Sequence, residues 1–280
     1  MRVSTRVLLF LNRFFPLPVH PFNLANQGRM TYAEWQFERG SATLENFRDF
    51  ISPEAMMKGK TVLDIGSGAG GKTLYYATLG ARRVCGVDVV PRYREEAAAL
   101  AQAKGLAGRA EFLCADATRL PFPEGSFDVV IANDVLEHVP DPEGLLRESH
   151  RVLRRGGRSY INFPPYYHPY GAHLSDAIGI PWVHAFFCEP TLIQAYRVLV
   201  RGLPDGQARL DLRLGESTAG PERLGYINHM TIRRFERLRR RSPFKTAYRR
   251  RVPLRQALGP LARILPEFFV KAVVCVLEKE

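Results

Sequence analysis

The sequence predicts an α/β fold built on a seven-stranded sheet of parallel βαβ units, and three observations carry that prediction. Short apolar runs alternate with helical patterns through the middle of the chain, the mark of strands joined by crossover helices. The first run, TVLDI, passes directly into a glycine turn and then a helical stretch. With 280 residues, 46% of them hydrophobic, the chain is long and apolar enough for one large core.

Taken in order, residues 1–58 precede the first strand and form a helical cap. Their opening, MRVSTRVLLFLNRFFPLPVHPF, is similar to a weak signal peptide, but Arg13 interrupts the apolar run and no small-residue cleavage site follows. It reads as a mature amphipathic segment. MTYAEWQFERG and SATLENFRDFI read as helices able to lie over the core. The core, 60–164, holds strands at 61–65, 83–88, 110–116, 127–133 and 157–163. Between them KTLYYATLGA, REEAAALAQAKG, which stops at Gly105, and EGLLRESHRVLRRGG read as helices. Residues 165–230, rich in aromatics, prolines and histidines, read as an insertion or lid. In 231–280 Thr231 is placed to cap the helix IRRFERLRRR, followed by the strands FKTAYRRRV and FFVKAVVCVLE. The whole of 1–280 is thus expected to be one domain.

The formal net charge is +12, and residues 233–255 carry eleven Lys and Arg against the single acid Glu236. So local an excess argues against a nucleic-acid partner. It suits a solvated helix and strand, or contact with an anionic membrane surface or a phosphorylated substrate. No apolar stretch reaches the roughly eighteen residues of a spanning helix, so the chain is expected to be soluble and cytoplasmic, with peripheral membrane attachment as the variant. Cys85, Cys114, Cys188 and Cys275 lie far apart and read as reduced thiols buried on strands. Oligomeric state leaves no trace in the sequence.

The string VLDIGSGAGG puts Gly66, Gly68 and Gly70 between a strand and a helix, where glycine lets the chain turn sharply and a ligand approach the backbone. Gly66, Gly68 and Gly71 also satisfy GxGxxG, so spacing alone does not separate a nicotinamide dinucleotide from S-adenosylmethionine. Asp64 favours the latter, because a carboxylate there attracts a sulfonium and repels a pyrophosphate. Asp88, at the end of the second strand, suits ribose hydroxyls. Asp116 and the Ala117 amide, after the third strand, suit adenine.

VLDIGSGAGG, GVDVV, ADATRLPFPEGSFDVVIANDVLEHVPDP and RVLRRGG resemble, in order, the successive motifs of class I S-adenosylmethionine-dependent methyltransferases. Their wording is most similar to the small-molecule and quinone-biosynthesis branch. The resemblance covers 60–164 well and the last helix and two strands loosely. It implies a Rossmann-like, mostly parallel sheet with an antiparallel last strand and helices on both faces. It further implies cofactor contacts from Asp64, Gly66, Ser67, Gly68, Asp88, Val89, Asp116 and Ala117, with acceptor access near Asn133.

Methyl transfer is a direct displacement that needs alignment and exclusion of water rather than a covalent intermediate. In keeping with that, GxSxG, HExxH and GxxxxGK[ST] strings are missing. Candidate bases are His138 after the fourth strand and His168, His173 and His184 in the insertion. Tyr166, Tyr167, Tyr170, Trp182, Phe186 and Phe187 are candidate walls for a small-molecule or lipid-like acceptor. No metal is expected; the alternative is a site of Asp134, Glu137 and His138, joined by His173 or His184, because some related methyltransferases bind a divalent ion with ExxEH at this point. The competing functions are an RNA or protein methyltransferase that uses 233–255, a nicotinamide oxidoreductase, and a peripheral membrane lipid-binding protein without catalysis.

Overall fold

The computed structural model of the chain describes residues 1–214 and 222–280. Five helices precede the sheet: α1 (Val3–Asn12), α2 (Pro21–Asn26), α3 (Tyr32–Glu38), α4 (Gly40–Glu45) and α5 (Pro53–Met57). The core then runs β1 (Thr61–Ile65), α6 (Gly71–Thr78), β2 (Arg83–Asp88), α7 (Pro91–Ala103), β3 (Ala110–Cys114), β4 (Phe127–Asn133), α8 (Pro142–Val152) and β5 (Leu153–Phe163). The insertion supplies α9 (Val183–Phe186), α10 (Glu189–Val200) and α11 (Gly206–Arg213). The chain closes with α12 (Ile232–Arg241), β6 (Lys245–Pro253), a 3₁₀ turn, α13 (Gly259–Ile264), α14 (Pro266–Phe269) and β7 (Val270–Glu278).

The seven strands form one sheet in the order β3-β2-β1-β4-β5-β7-β6. β1 to β5 pair in parallel, and β7 runs antiparallel to both β5 and β6. Alternation along β1 explains how one strand serves two layers. Leu63 and Ile65 join the core beneath α8 and α12, whereas Val62 faces the core beneath α4, α5 and α6. A third apolar cluster joins Leu8 of α1 to Leu174, Ile178, Leu192 and Tyr196 of the insertion. The carboxyl ends of β1 to β5 meet on one edge, where the strand order reverses between β1 and β4.

Several sequence expectations are corrected. The helix expected through Gly157 stops at Val152, and β5 begins at Leu153, because the end of β7 draws this stretch into the sheet: the Gly156 amide donates to the Lys279 carbonyl at 2.7 Å and the Lys279 amide to Gly157 at 3.0 Å. The last strand begins at Val270, since the run from Pro266 first makes the short helix α14. Cys85 and Cys275 are buried on β2 and β7, but Cys114 is exposed at the end of β3 and Cys188 is an exposed residue preceding α10. The expected insertion is largely helical; residues 215–221 of it lie outside the described residues.

Candidate active site

The glycine turn is held to both neighbouring strands. The Gly66 and Ser67 amides donate to the Val87 carbonyl at 2.8 and 3.0 Å, carrying the β1–β2 ladder past the strand end. Gly66 and Gly68 sit at φ +69° and +54°, the left-handed region that glycine enters without strain. A β-carbon on Gly66 would overlap the Val135 side chain from the turn after β4, and one on Gly68 would lie 2.7 Å from Gln36 Nε2. Gly70, also left-handed, precedes the first residue of α6.

Asp88 closes the loop. Its Oδ2 accepts from the Gly68 amide at 2.9 Å and its Oδ1 from the Val90 amide at 3.0 Å. Burial raises its carboxyl pKa, and these bonds oppose the rise. Each oxygen keeps a second lone pair for a ligand hydroxyl. Asp64 lies beneath the loop, buried, and accepts from Thr73 Oγ1 at 2.6 Å; burial pushes its carboxyl up to about 7. It is therefore placed to brace the turn rather than to line a cavity. Val89 and Asp116 are exposed beside Asp88, and Ala117 is buried. Asp116 accepts from the Thr118 amide and hydroxyl, both at 2.8 Å, with its second oxygen free of those bonds.

At the end of β4, Asn133 is buried and donates to Asp134 Oδ2 at 2.9 Å. Asp134 adopts φ +53°, a costly conformation for a non-glycine residue that recurs at functional sites. Lys72 Nζ approaches its carboxylate at 3.8 Å, and Asn162 also donates to it at 3.4 Å.

Of the four candidate bases the structure brings two together. His138 and His173 stand edge to face with ring centroids 4.7 Å apart, and the Tyr226 ring lies 4.1 Å from His138. His138 Nδ1 lies 2.7 Å from the Tyr226 carbonyl. A carbonyl only accepts, so Nδ1 carries the proton and Nε2 the lone pair. Burial lowers the His138 pKa to about 4 and that of His173 well below its ordinary value. His168 and His184 sit elsewhere: His168 Nδ1 accepts from the Tyr170 amide, and His184 packs on Tyr166 and Tyr167. Nor do the expected aromatic walls gather around His138, since Tyr167 packs against Phe268 and Phe186 is exposed.

Glu137, buried beside His138, has no hydrogen-bond partner for either oxygen among the described residues. Burial, reinforced by Asp134, raises its pKa well above the usual carboxylate range. Ligand atoms of Glu137, His138 and His173 fall within 4.8 Å of one another, a one-carboxylate, two-imidazole set able to hold a divalent ion. The metal alternative drawn from the sequence is corrected accordingly: His173 joins Glu137 and His138, while Asp134 turns to Lys72 and the two asparagines.

Sequence reasoning missed the residues that cover the loop. Gln36 of α3 donates to the Ser67 carbonyl and accepts from the Gly71 amide, both at 3.4 Å. The Tyr32 hydroxyl would lie 3.3 Å from a Gly68 β-carbon, and its ring is 5.6 Å from that of Tyr93. The available signal was the capping box Thr31/Glu34, realised at the start of α3, which fixes where that helix begins. Tyr226 falls in an irregular stretch and had no signal.

These residues fit S-adenosylmethionine. The left-handed Gly66 and Gly68 make a tight turn at the strand end, packed closely against Val135 and Gln36, Asp88 has acceptor capacity for a ribose diol, and Asp116 and Ala117 sit at the neighbouring strand end.

Comparison with known proteins agrees. A methyltransferase-domain family matches residues 63–161. The chain is 40% identical over 123 residues to 27-O-demethylrifamycin SV methyltransferase of Amycolatopsis mediterranei, covering 42% of this chain and 45% of that protein. It is 35% identical over 111 residues to a probable tocopherol O-methyltransferase of Oryza sativa, covering 40% and 31%. The matched stretch thus spans less than half of each relative. The fold is similar to that of an S-adenosylmethionine-dependent methyltransferase from Mesorhizobium loti, with a TM-score of 0.54 and 17% identity over 85% of this chain and 98% of the other. Residues 63–161 thus match a methyltransferase-domain family, and the chain shares its fold with a solved S-adenosylmethionine-dependent methyltransferase.

Proposed function

We propose that the protein transfers a methyl group from S-adenosylmethionine to a small-molecule or lipid-like acceptor by direct displacement. One observation carries the reading: the glycine turn, Asp88 and Asp116–Ala117 converge at adjoining strand ends, beside a half-buried histidine whose free nitrogen is fixed by its neighbours. The bound cofactor supplies an activated methyl on a sulfonium. Asp88 orients the ribose by sharing its oxygens with the Gly68 and Val90 amides. Asp116 and the Ala117 amide hold the adenine edge, and Gly66, Ser67, Gly68 and Gly70 present backbone to the amino-acid portion. Gln36 and Tyr32 close over the loop and exclude water. His138 Nε2 accepts the acceptor's proton, Nδ1 remaining anchored on Tyr226. Residues 1–280 act as one domain, with 1–58 and 165–230 as cap and lid.

The relatives' named acceptors, a rifamycin and a tocopherol, support a small-molecule acceptor over RNA or protein. No described helix is long and apolar enough to cross a membrane. Cytoplasmic action suits the buried thiols of Cys85 and Cys275, and the 233–255 strip suits an anionic partner.

The test incubates the protein with S-adenosylmethionine and a panel of phenols, quinols and isoprenoid alcohols. Acceptor-dependent release of S-adenosylhomocysteine, reduced about 100-fold or more in His138→Gln, is expected. Cofactor binding without turnover on any acceptor would favour a non-catalytic lipid-binding role. Glu137, His138 and His173 carry a second reading, in which a divalent cation orients the acceptor. Stoichiometric metal in purified protein, lost in Glu137→Gln, would support it.

A further inference from the structure

We propose that the outward face of α1, together with an arginine-lined cleft beside α12, docks the protein on an anionic lipid membrane. This commits the anionic-partner reading of 233–255 to one occupant, and it does not depend on methyl transfer.

In α1, Val3, Val7, Phe10, Leu11 and Phe14 just beyond it recur at helical spacing and face solvent, Val3 at 76%, Phe10 at 57% and Phe14 at 68% exposure. The opposite face fixes that orientation. Thr5 Oγ1 donates to Gln194 at 2.8 Å, Ser4 and Thr191 hydroxyls lie 2.8 Å apart, and Asn12 bonds the Ala177 carbonyl at 3.0 Å and the Gly179 amide at 2.8 Å. The apolar side is thus turned outward by its own hydrogen bonds. Arg2, Arg6 and Arg13 flank it in sequence, and no acid occurs before Glu34. Phenylalanines and aliphatics on one side of a helix, bordered by arginines, match the boundary between headgroups and acyl chains.

A cleft of about 870 Å³ lies between α12, β6 and the α13–α14 corner, lined by Arg233, Arg237, Arg240 and Arg251 and by the apolar Ile264, Leu265 and Phe268. Its acids are already engaged. Glu236 pairs with Arg239 and Arg249 at 2.9 Å, and Glu267 accepts from the Ile232 and Arg233 amides at the start of α12. Among the described residues Arg237 and Arg251 have no acidic partner within 4.0 Å. Ile264 is 74% exposed at the rim. The two features are linked: the Phe15–Pro16 backbone packs on Gly179, Trp182 Nε1 donates to the Tyr167 carbonyl at 3.1 Å, and the Tyr167 ring lies tilted against that of Phe268. Arginines beside exposed apolar tips fit a phosphate headgroup whose tails lie alongside. A second copy of this chain would set arginine against arginine, which is repulsive.

The experiment is flotation of the full chain with phosphatidylglycerol–phosphatidylcholine vesicles and with phosphatidylcholine alone, beside Phe10→Ser/Phe14→Ser and Arg237→Glu/Arg251→Glu. Circular dichroism and cooperative thermal unfolding show that each variant retains its fold. Wild type should float with anionic vesicles and fall away with added salt. The phenylalanine variant should bind at least tenfold more weakly, by loss of about two inserted side chains, and the arginine variant about fivefold more weakly per unit of positive charge lost, with two units lost at each reversal. Failure of wild type to float at low salt, equal flotation on neutral vesicles, or variants that float like wild type would each overturn the proposal. So would a dimer in light scattering that the phenylalanine variant abolishes.

Discussion

At the residue scale, Asp64 shows how burial sets a charge state. Its folded pKa of about 7 stands above the ordinary 3.8, so the folded chain holds a proton that the unfolded chain releases. Stability therefore falls as pH rises between those values, and the full cost, roughly 4 kcal/mol at most, is present above about pH 7. Asp64→Asn keeps an acceptor for Thr73 and removes the titration. Thermal melting without cofactor should show it more stable than wild type at about pH 8 and no better at about pH 4; a gain independent of pH would contradict the assignment. Gly66 makes a second residue-scale case. Gly66→Ala should cost about 1–2 kcal/mol in left-handed strain plus its overlap with Val135. Gly66→Ala/Val135→Ala should recover the overlap but not the strain in urea unfolding.

At the scale of elements, β1, β2 and β4 lie at their expected bounds because their runs are mostly apolar and are closed by glycine or aspartate. Thr231 caps α12 as its position foretold, accepting from the Arg234 amide at 3.1 Å. The end of α8 was misread because pairing with β7, a contact across more than a hundred residues, decides it. α10 was missed because Pro190 and the aromatic stretch before it mask a helical pattern whose buried residues include Leu192, Ala195, Tyr196 and Val200. Likewise the placement of Asp64, Asp88 and Asp116 at or beside strand ends was legible, whereas the positions of Tyr226, Tyr32 and Gln36 depend on irregular connections and on how α3 packs. Because Gln36 and Tyr32 press on the glycine turn, Tyr32→Ala should raise the association and dissociation rates of S-adenosylhomocysteine, by stopped-flow fluorescence, more than it changes affinity. Unchanged rates would remove α3 from the role of lid.

At the scale of the whole molecule, cap and insertion are joined by a buried ionic network. Arg209 is 1% exposed and donates to Asp176 at 3.1 Å, to Asp205 at 2.9 Å and to Asn23 of α2 at 2.9 Å. Arg213 approaches Asp176 at 3.6 Å, and Tyr196 donates to that same carboxylate at 2.6 Å. Asp176→Ala should destabilise by about 3–5 kcal/mol, because it leaves two buried guanidiniums under-paired. A loss below about 1 kcal/mol in urea unfolding would show the network to be hydrated instead. The central claim, that one edge of the sheet binds S-adenosylmethionine through the glycine turn and Asp88, is tested most directly by calorimetry of the full chain with S-adenosylhomocysteine beside Asp88→Ala. Saturable one-to-one binding by wild type, lost in a variant that still unfolds cooperatively, is the predicted result. A folded wild-type protein that takes up no ligand, or an Asp88→Ala variant that binds as tightly, would contradict it.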